Sequence, residues 1–134
     1  MNIIDNLYNL GISKYSIEHM LEMNDELRYL EQNELNDKIQ MLFQINCTEI
    51  QIREIISSNS KFLTTNIKEI FKTLLFLNEI GLMGLNYLIH SNPYILNLEV
   101  YEIKNYIDKK LETGKNIENI IEELEENVML FNEM

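Results

Sequence analysis

A repeated helix-ending signal constrains this chain more than any other feature of its sequence. Gly11, Asn46, Gly81 and Gly114 each follow an amphipathic stretch. Glycine and asparagine most readily adopt the left-handed conformation that ends a helix. The intervals between the four positions are 35, 35 and 33 residues. A nearly fixed period of this length predicts a stack of similar helical units.

Apolar positions follow the same period. Ile17, Met20 and Leu21 recur after 35 residues and again after 33, and each triplet forms one apolar face of a short helix. The later triplets are Ile52, Ile55, Ile56 and Leu85, Leu88, Ile89. The period also carries Asn24 to Asn59, Asn92 and Asn127. Because the alternating pattern of a half-buried strand is never sustained, the sequence predicts helices throughout.

The predicted fold class is all-α, with a single domain over residues 1–134 built from about three and a half helix-turn-helix repeats. The predicted repeats cover residues 3–37, 38–72, 73–106 and 107–134. The fourth is predicted to be truncated and atypical, because Glu123 falls where the pattern favours an apolar residue and terminal repeats face water on one side. An irregular helical bundle is the alternative.

The only proline, Pro93, lies in the stretch SNPYIL, residues 91–96. Asn92 is predicted to cap the following turn with its side chain. Pro93 is predicted to take the first helical position, where its missing N–H is not needed. The stretch SNSKFL, residues 58–63, lies at the same place in the second repeat without a proline.

A glycine-ended helix, a second amphipathic helix and an Asn-Pro turn, at this period, resemble the repeats of the mitochondrial transcription termination factor (mTERF) family. The best match is LNEIGLMGLNYLIHSNPYILNLEVYEIKNYI, residues 77–107. The resemblance implies a right-handed α-helical solenoid, with a 3₁₀ turn in each repeat and a groove that in the family binds nucleic acid in organelles. It assigns no binding residue, because no basic position here matches the family's pattern.

The net charge of −11 disfavours nucleic-acid binding, because an acidic surface repels phosphate. Over the predicted repeats in chain order, the net charge is −6, +2, −2 and −5, so only the second is basic. The candidate nucleic-acid or anion contacts are Arg53, Lys61, Lys68 and Lys72. The last two lie one helical turn apart. The alternative is that these are ordinary solvated side chains.

An acidic run near the end of the chain comprises Glu122, Glu123, Glu125 and Glu126. No Asp-rich, glycine-containing calcium loop accompanies it, so we predict no metal site. The run belongs to an amphipathic helix whose buried side carries Ile120, Ile121 and Leu124. A solvated face is therefore predicted, and attraction of a basic partner is the alternative.

Residue types that support catalysis are few and scattered. Cys47 is the only cysteine and is predicted to be a small buried residue, while His19 and His90 occupy non-equivalent positions and are predicted to lie at the surface. Phosphate-binding glycine loops and the G-x-S-x-G, H-E-x-x-H and C-x-x-C motifs do not occur. We therefore expect no enzymatic activity, no cofactor and no metal.

Three tyrosines of the third repeat, Tyr87, Tyr94 and Tyr101, are candidates for the wall of a partner groove. Tyrosine is favoured at interfaces, because it combines an apolar ring with a polar hydroxyl. Packing in the core or at its edge is the alternative.

Two functions remain open. The first is an acidic helical-repeat module for a protein or peptide partner, which the charge favours. The second is a nucleic-acid-binding relative of the termination factors that uses the lysines of the second repeat, which the resemblance favours. No apolar run approaches the ~18 residues that span a bilayer, and the N-terminus lacks the pattern of a secretory signal. We therefore expect no membrane partner and a cytoplasmic location.

Overall fold

The computed structural model describes residues 2–134, and two α-helices followed by one 3₁₀-helix recur four times in them. The α-helices are α1 (Ile3–Asn9), α2 (Lys14–Met23), α3 (Gln32–Gln44), α4 (Glu49–Ser58), α5 (Ile67–Glu79), α6 (Leu85–Ser91), α7 (Val100–Glu112) and α8 (Ile117–Glu126). The 3₁₀-helices are η1 (Asp25–Tyr29), η2 (Ser60–Thr64), η3 (Pro93–Asn97) and η4 (Val128–Glu133). Since these residues contain no strand, the predicted all-α repeat fold is confirmed.

The second, third and fourth observed repeats begin earlier than predicted. The helices α3, α5 and α7 start at Gln32, Ile67 and Val100, so the predicted boundaries after residues 37, 72 and 106 fall inside them. The fourth repeat contains α7, α8 and η4, the same three elements as the others, and is not truncated. Residues 2–134 therefore hold four complete repeats. No helix among them is long and apolar enough to cross a bilayer.

The four predicted helix ends are confirmed, because each has a backbone φ angle in the left-handed region. The angles are 93° at Gly11, 74° at Asn46, 100° at Gly81 and 92° at Gly114. After α1, the amide of Gly11 donates to the Tyr8 carbonyl, and that of Ile12 donates to the Leu7 carbonyl. This pair of bonds is the Schellman cap, which satisfies the last carbonyls of the helix.

In three of the four repeats, the residue after the left-handed cap anchors the cap to the core. Ile12, Cys47 and Leu82 occupy this position in the first three repeats, and all three are buried. The fourth repeat has Lys115 there, and its Nζ atom lies 2.5 Å from Oε1 of Glu123. The fourth repeat thus has an ion pair at two positions that are apolar elsewhere.

The predicted apolar triplets form the buried faces of α2, α4 and α6. Eight of the nine residues are buried, and Leu85 is half-buried. The pattern therefore located the core of each second helix correctly. In the fourth repeat the corresponding helix, α8, buries Ile120, Ile121 and Leu124, as predicted.

Pro93 is the first residue of η3, as predicted, but the predicted side-chain cap by Asn92 is wrong. The Asn92 backbone has φ −142° and ψ 84°, which differs from the extended conformation of a capping residue. Its Nδ2 atom instead donates to the Val128 carbonyl at 3.0 Å and to Asn132 Oδ1 at 2.9 Å. The side chain therefore joins two successive repeats.

The described residues form two compact units of two repeats each. The first unit ends at Ile67, and the second spans Lys68–Met134. Within the first unit, η1 packs against η2 and α3 packs against α4. Within the second unit, η3 packs against η4 and α7 packs against α8. The two units are thus built on the same plan.

Candidate nucleic-acid interface

The basic residues predicted as nucleic-acid contacts lie in both units. Arg53 is on α4 and Lys61 on η2 in the first unit, whereas Lys68 and Lys72 are on α5 in the second. The observed second repeat, residues 31–65, carries three basic and five acidic residues, a net charge of −2. The predicted second repeat is basic because its boundaries leave out Glu31, Glu34 and Asp37 and include Lys68 and Lys72 of α5.

Arg53 packs against the end of α1. A β-carbon placed on Gly11 would come within 2.8 Å of the Arg53 Nη1 atom and 3.2 Å of its Cδ atom. The side chain is half-buried over this glycine, whereas Lys61 is exposed. Arg53 therefore contributes to packing within the first unit.

The outer side of α5 combines positive charge with exposed apolar surface. Phe71 and Lys72 both lie three or four residues after Lys68 and three or four residues before Leu75, a spacing that places all four on one side of the helix. Both lysines are exposed, and so are Phe71 at 45% and Leu75 at 59% of their surface. We call these four residues the α5 face.

Two charged side chains near the α5 face affect how it could bind a phosphate. Lys72 Nζ lies 3.1 Å from Oε1 of Glu69, with both side chains more than half exposed, and such surface pairs contribute about 0–1 kcal/mol. Lys104 of α7 adds a positive charge beside α5, because its Nζ atom lies 5.5 Å from the centre of the Phe76 ring. The positive charge of Lys104 therefore offsets the negative charge of Glu69.

The corresponding sides of α3 and α7 lack this combination. The equivalent positions, 35 residues earlier and 33 residues later, are Asn33, Asn36, Asp37 and Gln40 in α3 and Tyr101, Lys104, Asn105 and Asp108 in α7. Sequence reasoning identified Lys68 and Lys72 but missed Phe71 and Leu75. The available signal was that both apolar residues fall outside the buried stripe of α5.

The three tyrosines predicted to line a partner groove lie on different elements of the second unit. Tyr87 is on α6, Tyr94 on η3 and Tyr101 on α7. Their exposed fractions are 65%, 40% and 60%, so all three are on the surface and none is in the core. Tyr101 lines an open cleft with Tyr106 and Lys109. Tyr87 and Tyr94 are not among the described residues that line this cleft.

A buried lysine on α3 was missed by sequence reasoning. Lys38 is 4% exposed, and its Nζ atom donates to the Leu63 carbonyl at 2.6 Å. Burial lowers the pKa of this amine, and the carboxylates of Glu34 and Asp37 partly offset the shift. The sequence does contain a signal for it, because Lys38 is a polar residue within the apolar stripe of α3. It occupies the position that Thr73 occupies in α5. Lys38 is therefore a structural residue of the first unit.

Cys47 is buried, as predicted, and burial raises the pKa of its thiol to about 11. At neutral pH it is an inert apolar residue. His19 is exposed and His90 is half-buried. Within residues 2–134, no group of His, Cys, Asp and Glu side chains is placed to hold a metal ion.

The acidic run lies on α8, and three of its four glutamates are exposed. Glu123 differs, because it is half-buried and pairs with Lys115. The predicted solvated face is therefore confirmed for Glu122, Glu125 and Glu126, and it is wrong for Glu123.

A family model described as mTERF matches residues 1–126 of the 134-residue chain. The match covers nearly all of both units and includes the whole of α5. Proteins of this family usually bind nucleic acid and are generally non-enzymatic. No curated protein matches the chain significantly.

Proposed function

Because the chain belongs to the mTERF family, we propose that it is a non-enzymatic protein that binds nucleic acid through the α5 face. The observation that carries this proposal is the exposed row of two lysines with Phe71 on one side of a helix. Lysines neutralise backbone phosphates, and an exposed aromatic ring stacks on an unpaired base. The proposal therefore specifies single-stranded nucleic acid.

The negative charge of the rest of the protein does not prevent binding of nucleic acid at the α5 face. At about 0.1 M salt the Debye length is roughly 10 Å, so carboxylates farther than this from a bound phosphate are largely screened. Lysines in direct contact with the phosphate are not screened in the same way. A small basic surface can therefore bind nucleic acid on a chain with a net charge of −11.

Fluorescence anisotropy with labelled single-stranded RNA, single-stranded DNA and duplex DNA of one sequence tests the proposal. Binding should be strongest at low salt and should favour the single strands. Replacing Lys68 and Lys72 together by glutamine should reduce the slope of log affinity against log salt by about 1.4, at about 0.7 per phosphate contact. Phe71→Ala should weaken binding by about 1–3 kcal/mol.

Two control variants match these changes elsewhere in the chain. Replacing Lys109 and Lys110 on α7 by glutamine removes the same charge from residues that are not part of the α5 face. Phe43→Ala removes a phenylalanine of α3 with a similar exposed fraction, 41%. Both controls should bind like the wild type. Absence of binding at low salt, or equal losses in variants and controls, would refute the proposal.

A further inference from the structure

A cleft in the second unit combines an apolar lining with carboxylates. It lies between the residues that follow α5 and the outer side of α8, and its volume is about 420 Å³. The apolar lining comprises Ile80, Gly81, Ile117 and Ile121, and the carboxylates are Glu118, Glu122 and Glu125. Such a lining suits a side chain with an apolar stem and a cationic head.

The first unit has an equivalent place between the end of α1 and α4, and there an arginine fills it. Gly11 corresponds to Gly81, and Arg53 corresponds to Ile121. A β-carbon on Gly11 would come within 2.8 Å of the Arg53 guanidinium, whereas a β-carbon on Gly81 would meet no atom within 4 Å. The cleft is open in the second unit because isoleucine stands where the first unit has arginine.

The open cleft is also the more acidic of the two. Its three glutamates correspond, in chain order, to Ile50, Glu54 and Ser57 of α4. Three carboxylates thus line the open cleft of the second unit, whereas only one of the equivalent positions in the first unit carries a carboxylate. Glu125 Oε1 accepts a hydrogen bond from the Met83 amide at 3.4 Å, which positions that carboxylate at the cleft. The charge and shape are complementary to an arginine supplied from outside.

We propose that this cleft binds an arginine side chain of a partner peptide, in the place that Arg53 fills in the first unit. Arginine suits it better than lysine, because the planar guanidinium packs on apolar surface and bonds two carboxylate oxygens at once. Nucleic acid does not suit the cleft, since its phosphates would meet the carboxylates. The inference does not depend on the α5 face.

An NMR titration of the ¹⁵N-labelled chain tests the assignment. The probes are short glycine-serine peptides that carry one arginine, one lysine or one citrulline, the last being uncharged and close to arginine in shape. The arginine peptide should shift the amide signals of Gly81 and of α8, and added salt should weaken its binding. The citrulline peptide should leave these signals unchanged.

Two variants should weaken binding of the arginine peptide by different routes. Ile121→Arg copies the first unit and should close the cleft, lowering peptide affinity at least about 10-fold. Because Ile121 is buried, a second variant avoids the core: Glu118→Gln with Glu122→Gln removes two exposed carboxylates and should also cost about 10-fold. The matched control, Glu112→Gln with Glu126→Gln, removes the same charge outside the cleft and should bind like the wild type.

Several outcomes would overturn the proposal. These are no shift with the arginine peptide, equal binding of the citrulline or lysine peptide, or an equal loss in the control variant. The variant with Lys68 and Lys72 replaced by glutamine should bind the arginine peptide normally. Failure of this cleft is therefore distinguishable from failure of nucleic-acid binding at the α5 face.

Discussion

The two units link their repeats by the same side-chain bond but differ in how well it is buried. Asn24 and Asn92 each follow the second helix of a repeat and donate from Nδ2 to the 3₁₀-helix of the next. The acceptors of Asn24 are the Ser60 carbonyl at 3.5 Å and Thr64 Oγ1 at 2.9 Å. Those of Asn92 lie at 3.0 and 2.9 Å. Asn92 is buried and Asn24 is half-buried, so the second unit has the stronger link.

Away from this link the two units diverge. Arg53 covers Gly11 in the first unit, whereas Ile121 leaves Gly81 open in the second. The anchor position after the helix end is Cys47 in the second repeat and a charged lysine in the fourth. The comparison indicates that packing between helices sets the repeated positions, while the outer surfaces acquire separate properties.

Among the substitutions that test this comparison, Asn92→Asp is expected to have the largest effect on stability. The substitution keeps the shape of the side chain but turns its donor into a carboxylate that faces two acceptor oxygens. The free energy of unfolding should fall by about 3 kcal/mol, because a buried polar group without a partner costs about 1–3 kcal/mol and a charged one more. Asn24→Asp should cost less. Urea denaturation followed by circular dichroism measures both.

Asn127→Asp is the control for this pair. Asn127 occupies the equivalent position in the fourth repeat and is exposed, so its substitution should change the unfolding free energy by no more than about 0.5 kcal/mol. Equal losses at all three asparagines would show that backbone preference, and not the link between repeats, decides the residue at this position.

A large effect on reactivity is expected at Cys47. Burial raises its pKa from 9.0 to about 11, so at pH 8 the reactive thiolate is about 100-fold scarcer than in an unfolded chain. A disulfide reagent should therefore modify the native thiol at least about 100-fold more slowly than the urea-unfolded one. Because the acid form is favoured on folding, Cys47 contributes stability below pH 9 that is lost as the pH rises towards 11.

The fourth repeat supplies the matched thiol. Lys115→Cys, made together with Cys47→Val, moves the only cysteine to the equivalent position, where the lysine side chain is 39% exposed. This thiol should react with the reagent at a rate close to that of an unfolded chain. Slow reaction at both positions would contradict the contrast between the two anchors.

The period of the sequence predicted those features that depend on residue type alone. The left-handed helix ends were predictable because few residues other than glycine and asparagine adopt that conformation. The partners of Asn92 were not, because a spacing locates an asparagine without showing which atoms lie opposite it. The charge of the second repeat was wrong because the predicted boundaries left out Glu31, Glu34 and Asp37 and included Lys68 and Lys72. Phe71 was missed because the prediction followed the periodic apolar positions, and Phe71 lies outside them.

Smaller effects on stability are expected from substituting two side chains, one on α3 and one on α5, that donate hydrogen bonds to backbone carbonyls. Lys38 donates to the Leu63 carbonyl at 2.6 Å, and Thr73 donates to the Leu98 carbonyl at 2.8 Å. Thr73→Val keeps the side-chain shape but leaves a buried carbonyl unpaired, which should lower the unfolding free energy by about 1.5 kcal/mol. Lys38→Met should cost less, because it also removes the desolvation cost of a charged amine. Urea denaturation distinguishes the two.

The same lysine predicts a pH dependence. Its pKa is lowered in the folded state, so between that value and 10.5 the unfolded chain binds more protons than the folded one. The stability of the wild type relative to Lys38→Met should therefore rise with pH over this window. Comparing the two proteins by urea denaturation at pH 7 and pH 9.5 isolates this lysine from other titrating groups. A difference that does not change with pH would contradict the shift.

The smallest expected effect comes from giving the fourth repeat the apolar pair of the third. Lys115 and Glu123 correspond to Leu82 and Leu88, so Lys115→Leu with Glu123→Leu should raise the unfolding free energy by about 1 kcal/mol through apolar burial. Glu123→Leu alone should change it little, because it leaves a half-buried ammonium without its carboxylate. Thermal or urea denaturation measures both. A double variant less stable than the wild type would show that the ion pair itself stabilises the fourth repeat, in contrast to the apolar anchors of the other three.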